Sequence, residues 1–68
     1  MKPIAKRVVV RMLSQRGATM IRQDGDHEVW KLGDCQCYVP KHKTVTAGVC
    51  RSIQDAMAPE FGKGWLQK

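Results

Sequence analysis

Sixty-eight residues allow one domain at most, and a chain of this size buries only about 60% of its unfolded surface, for a stability of roughly 3–5 kcal/mol, which excludes a large enclosed active-site cavity. Twelve Lys and Arg against six Asp and Glu leave a net charge of +6, and 43% hydrophobic residues suffice for a small core, so the chain is neither acidic nor disordered. Three cysteines, an odd number, argue against a complete intrachain disulfide framework, and the longest apolar run near the start, Val8-Val9-Val10, is too short for a signal peptide or a membrane span. A cytosolic, reduced protein without a membrane partner is expected.

Between Pro3 and Arg16 the apolar residues Ile4, Val8, Met12 and Leu13 recur at helical spacing, with Pro3 in a first turn and Gly17 as the C′ stop. Ala18 to Gln23 reads as a strand ending at Asp24-Gly25, a two-residue hairpin signal; a second strand follows to Leu32 and turns at Gly33-Asp34. A third strand runs from Cys35 to Val39 and stops at Pro40. After the basic loop Lys41-His42-Lys43, Thr46 caps a second helix with Val49, Cys50, Ile53, Ala56 and Met57 on one apolar stripe. The fold class is therefore α+β, in the order α-β-β-β-α: a three-stranded antiparallel sheet with two helices on one face. Residues 1–58 form the domain, and 59–68, with Pro59, Gly62 and Gly64, read as a C-terminal tail whose Trp65 and Leu66 dock either on the body, the favoured reading, or on a partner.

The register follows from the turns. A loop at Asp24-Gly25 sets Arg22 opposite His27, and a loop at Gly33-Asp34 sets Lys31 opposite Gln36 and Val29 opposite Tyr38. One face then collects Ile21, Trp30, Leu32, Cys35, Cys37 and Val39 as core. The uncovered face collects Arg22, His27, Val29, Lys31, Gln36 and Tyr38.

Charge placement narrows the partners. Lys2, Lys6, Arg7, Arg11, Arg16 and Arg22 all precede the first acid, Asp24, so the first 23 residues carry the whole excess. Lys2 and Lys6 near a helix start oppose its dipole and are better explained by an anionic partner, either nucleic acid or an acidic protein. RNA suits the exposed face chemically. A neutral His27, favoured by Arg22 across the ladder, could take the proton of a 2′-hydroxyl while Arg22 or Lys31 stabilises the charge on the phosphoryl oxygens and Tyr38 stacks on a base. His42, between Lys41 and Lys43, lies just ahead of a helix N-terminus where Gly48 permits close approach of a phosphate. The competing reading of each residue is an ordinary solvated polar group. Cys35-x-Cys37, with His42 or Cys50, is not a recognised zinc spacing and sits on the apolar face, so core packing is expected, with no metal and no cofactor.

Three segments carry a family resemblance: Gly25-Asp26-His27-Glu28-Val29-Trp30, then Val39-Pro40-Lys41-His42, then Gly48-Val49-Cys50-Arg51-Ser52-Ile53. In order and spacing they resemble the Gly-Ser-His stretch, Val-Pro-x-His strand end and Gly-Thr-Leu-Arg-x-Ile helix of HicA-type toxins, over about residues 6 to 57. The resemblance implies a fold like a double-stranded-RNA-binding domain and a metal-independent endoribonuclease that cleaves mRNA. It also implies a HicB-type antitoxin as partner. The family's catalytic histidine falls on His27, its hairpin glycine on Gly25 and its second histidine on His42. Asp26 stands where the family usually has serine and Glu28 where a further histidine is often found; two carboxylates flanking His27 would oppose RNA approach. The reading is thus an endoribonuclease with His27 as general base and Arg22, Lys31, Tyr38, Lys41, His42 and Lys43 holding RNA. The alternatives are a non-catalytic RNA- or protein-binding module of the same fold and a zinc-stabilised interaction domain.

Overall fold

The computed structural model describes residues 1–66. The first helix, α1 (Lys6–Gln15), starts later than its periodicity suggests, because Ile4–Ala5 form a short strand, β1. β1 pairs antiparallel with Thr44–Val45 (β5), Ile4 opposite Val45, a two-stranded patch too short to leave a sequence signal. Starting at Lys6 turns the buried seam onto Val9 and Leu13, both without solvent exposure, and leaves Val8 and Met12 half-buried at its edges. Ala5 offers no capping side chain, and the Lys6 amide instead donates to the Lys43 carbonyl at 2.9 Å. Gly17 closes α1 as expected: at φ +96° its amide donates to the Ser14 carbonyl, and the Ala18 amide donates to that of Leu13, a Schellman ending.

The sheet has the order β2-β3-β4, with β2 Thr19–Asp24, β3 His27–Leu32 and β4 Cys35–Pro40. The β3–β4 register is as expected, Lys31 facing Gln36 and Val29 facing Tyr38. The β2–β3 register differs. Asp24 pairs with His27, so the loop residues are Gly25 and Asp26, not Asp24 and Gly25, and Arg22 faces Val29 rather than His27. Gly25 (φ +62°) and Gly33 (φ +60°) each take the first loop position, and among the described residues no other residue type has positive φ; this is the II′ pattern, which places glycine first. The ladder is then offset between Met20 and Arg22 by a bulge. The bulge turns Ile21 out of the expected core face, and both Met20 and Ile21 stay 48% exposed on the edge strand.

The second helix, α2 (Ala47–Phe61), follows Thr46, an extended N-cap residue whose hydroxyl makes no capping bond; its carbonyl accepts from the Cys50 amide at 2.8 Å. Cys50, Ile53 and Met57 are fully buried, with Val49 and Ala56 beside them. The helix runs past the tail boundary read at Ala58, through Pro59 to Phe61. Proline here falls in the last turn, where little of the ladder remains to be broken. The chain then reverses at Gly62 and buries Trp65 and Leu66 in the core formed by Val9, Leu13, Trp30, Cys37, Val39 and Met57. Burial pushes the Cys37 thiol up to about 12, so it packs as a small apolar group.

Candidate active site

The uncovered sheet face is organised in three rows across the strands. At the hairpin tip lie Asp24, His27 and Pro40; one row in come Arg22, Val29 and Tyr38; the third holds Thr19, Lys31 and Gln36. Rows on one face are two residues apart, about 7 Å. His27 is exposed in the tip row. Val29 is fully buried yet outside the main core cluster, so the middle row is a solid floor flanked by Arg22 and Tyr38. The Tyr38 hydroxyl accepts a hydrogen bond from Gln36 Nε2 at 3.1 Å, which fixes a ring that remains 46% exposed.

Lys31 lies four residues from His27 along β3, roughly 13 Å, so the two do not share a phosphate. The loop after β4 is joined to the tip through the backbone. The Lys41 amide donates to the Asp26 carbonyl at 2.8 Å and fastens the start of Lys41-His42-Lys43 to the hairpin turn. All three of these side chains are exposed. At the other end of the loop, the Lys43 carbonyl holds the start of α1. Hairpin tip, basic loop and first helical turn are thus linked by two backbone hydrogen bonds.

The expected carboxylate barrier around His27 is only partly there. Glu28 alternates to the helix-covered face, where Lys6 Nζ meets its Oε2 at 2.6 Å and the Trp30 indole donates to its Oε1 at 3.2 Å. Burial alone would raise the Glu28 carboxyl, but the bonds from Lys6 and Trp30 and the charges of Lys6 and Lys41 outweigh it and hold the group below its usual 4.5. The carboxylate in His27's own row is Asp24, at the position expected for Arg22. Lys6 is accordingly a structural residue and not a free cation awaiting an anionic partner; this pairing spans 22 residues and has no local sequence signal. Its pH dependence follows in sign. A depressed folded-state value gives stability that is complete above 4.5 and lost as pH falls through the lower value. Glu28→Gln is expected to melt below wild type at pH 7, with the gap closing under pH 4.5; a gap that persists in acid would count against the ion pair.

The comparisons with known proteins bear on the family of the chain. A family model described as HicA toxin of bacterial toxin-antitoxin matches residues 7–58, leaving Pro59 onward outside the match. Nothing matches among curated proteins or among solved structures. Among the described residues no helix is long and apolar enough to cross a membrane. Matched over most of its length, with the histidine on the open end of the sheet, the chain belongs to the HicA family of toxins from bacterial toxin–antitoxin systems.

Proposed function

We propose that this protein is a metal-independent endoribonuclease that cuts mRNA with His27 as general base and is neutralised by a HicB-type antitoxin. Toxins of this family act on RNA in general and pair with HicB antitoxins. The observation that carries the finer reading is the joint between the exposed His27 row and the Lys41-His42-Lys43 loop, closed by the Asp26–Lys41 backbone bond. That joint supports a reading in which the His27 imidazole acts as proton acceptor together with the cations of the loop, the two things a 2′-hydroxyl attack requires.

In the proposed step His27 takes the 2′-hydroxyl proton, the 2′-oxygen bonds to the adjacent phosphorus, and the bond from phosphorus to the 5′-oxygen breaks. That oxygen takes up a proton from solvent, leaving a 2′,3′-cyclic phosphate and a 5′-hydroxyl end. Lys41 and Lys43 stabilise the phosphoryl oxygens, with His42 between them on the same strand of RNA. Tyr38 offers a stacking surface, and Arg22 and Lys31 hold phosphates one and two rows further in. An antitoxin that covers the tip would block the imidazole and the cations together.

The test is an RNA and a copy of it bearing a 2′-deoxy sugar at the cut position. The first should be cleaved and the second should survive; equal cleavage of both removes the mechanism. Replacing Lys41 and Lys43 by Gln should flatten the dependence of binding on salt by roughly 0.7 per lost phosphate contact. An unchanged salt slope would take the loop out of the RNA site.

A further inference from the structure

Among the described residues, Lys2, Arg7, Arg11, Arg51 and Lys63 are exposed cations that neither the fold nor the proposed site uses, and two of them share one helix. On α1, Arg7 and Arg11 are exposed and lie one turn apart, with Ser14 continuing the same ridge, on the side away from the buried Val9 and Leu13. The pair costs the helix something. Like charges at i and i+4 repel, the first turn of α1 holds no acid, and cations there oppose the dipole. Two of the other N-terminal cations have internal partners: Lys6 has Glu28, and Arg16 sits 5.9 Å from the Phe61 ring and 5.6 Å from that of Trp65. Among the described residues neither Arg7 nor Arg11 has such a partner.

The position of the ridge is set by the same two backbone bonds that build the tip. Lys41 is tied to the hairpin turn, and Lys43 is tied to Lys6, the residue before Arg7. The backbone path therefore carries exposed cationic residues from the His27 tip across the loop to the first turn of α1 and on to its second. Arg7 and Arg11 are separated by roughly 6 Å along the helix, close to the spacing of successive phosphates on one strand.

We propose that Arg7 and Arg11 are positioning residues that grip the backbone of the same RNA beyond the cut site, so that the substrate track runs from His27 over Lys41 and Lys43 onto the outer ridge of α1. The inference rests on the endoribonuclease reading and extends it: substrates are RNAs long enough to reach α1, recognised there through phosphate charge and not through base identity. An acidic protein surface would also suit two arginines, but the unbroken link to the loop favours the strand already lying on Lys41 and Lys43.

The experiment measures binding on full-length protein carrying His27→Ala, so that RNA stays intact, with one RNA of about five nucleotides and one of about fifteen. The longer RNA should bind about tenfold more tightly at moderate salt, with a steeper salt slope, and Arg7→Gln/Arg11→Gln should erase most of that gain. The short RNA should bind both proteins alike, and Arg7→Lys/Arg11→Lys should keep the gain. Glutamine matches arginine in helix propensity and removes a repulsion, so the melting temperature should hold or rise. A length gain that survives Arg7→Gln/Arg11→Gln, no length gain in the parent, or a fall in melting temperature that accompanies the loss would each overturn the track. Cleavage of the long RNA by the protein with His27 intact decides the active-site reading separately.

Discussion

Replacing His27 by Ala is expected to lower RNA cleavage by roughly 10²–10⁴-fold, the span that loss of a positioned general base costs, while the protein stays folded and still binds RNA. The fold should tolerate the change because the side chain is exposed at the first position of β3, and surface substitutions of this kind usually shift stability by no more than about 0.5 kcal/mol. Binding should persist because the cations of the 41–43 loop are held by backbone hydrogen bonds, from Lys41 to Asp26 and from Lys6 to Lys43, that do not involve the imidazole. The measurement is a time course of one RNA with wild type and variant, read together with the melting temperature of each. His42→Ala is the internal comparison: it lies in the loop, outside the Asp24–His27–Pro40 row, and should weaken binding more than it slows chemistry. Equal cleavage by wild type and His27→Ala would remove the imidazole from the mechanism. Intact RNA in both reactions, with binding retained, would identify a module that holds RNA without cutting it.

What could be read from the residue order follows a physical divide. Local, repeated signals were sufficient for Gly17 as the end of α1, for the Gly33-Asp34 turn with its Val29–Tyr38 register, and for the stripe Cys50, Ile53 and Met57. Each depends on residues within a few positions of one another. Asp24-Gly25 failed because the dipeptide fits a loop that has glycine second, whereas this turn takes glycine first and recruits Asp26. One residue of displacement moved Arg22 off His27 and put Asp24 there instead. The Lys6–Glu28 pair, the β1–β5 patch and the Lys41–Asp26 bond are long-range or too short to be periodic. They decide the electrostatics of the tip, so the candidate histidine was legible while its neighbours were not.

Trp65→Ala is expected to unfold much of the protein at room temperature. The indole is only 5% exposed and sits among Val9, Leu13 and Met57 in the core cluster. Its Nε1 donates to the buried Gln54 carbonyl at 2.8 Å, and its ring meets Phe61 edge-on at 4.8 Å and 77°. The Arg16 guanidinium lies over both rings, tying the end of α1 to the segment after α2. Truncating a buried Trp to Ala costs about 3–5 kcal/mol, and a 68-residue chain has roughly that much stability in total. Trp65→Phe separates the causes, since it keeps most of the packing and the edge contact but loses the donor to Gln54, for about 1 kcal/mol. Urea unfolding followed by circular dichroism gives both numbers. A Trp65→Ala midpoint equal to that of wild type would mean that the segment after Gly62 contributes nothing to the core. A loss in Trp65→Phe as large as in Trp65→Ala would shift the weight from packing to the single hydrogen bond. With the expected order, residues beyond the family match are part of what holds α1 against α2, and the hairpin tip depends on them because Lys6 of α1 both pairs with Glu28 and anchors the basic loop through its amide.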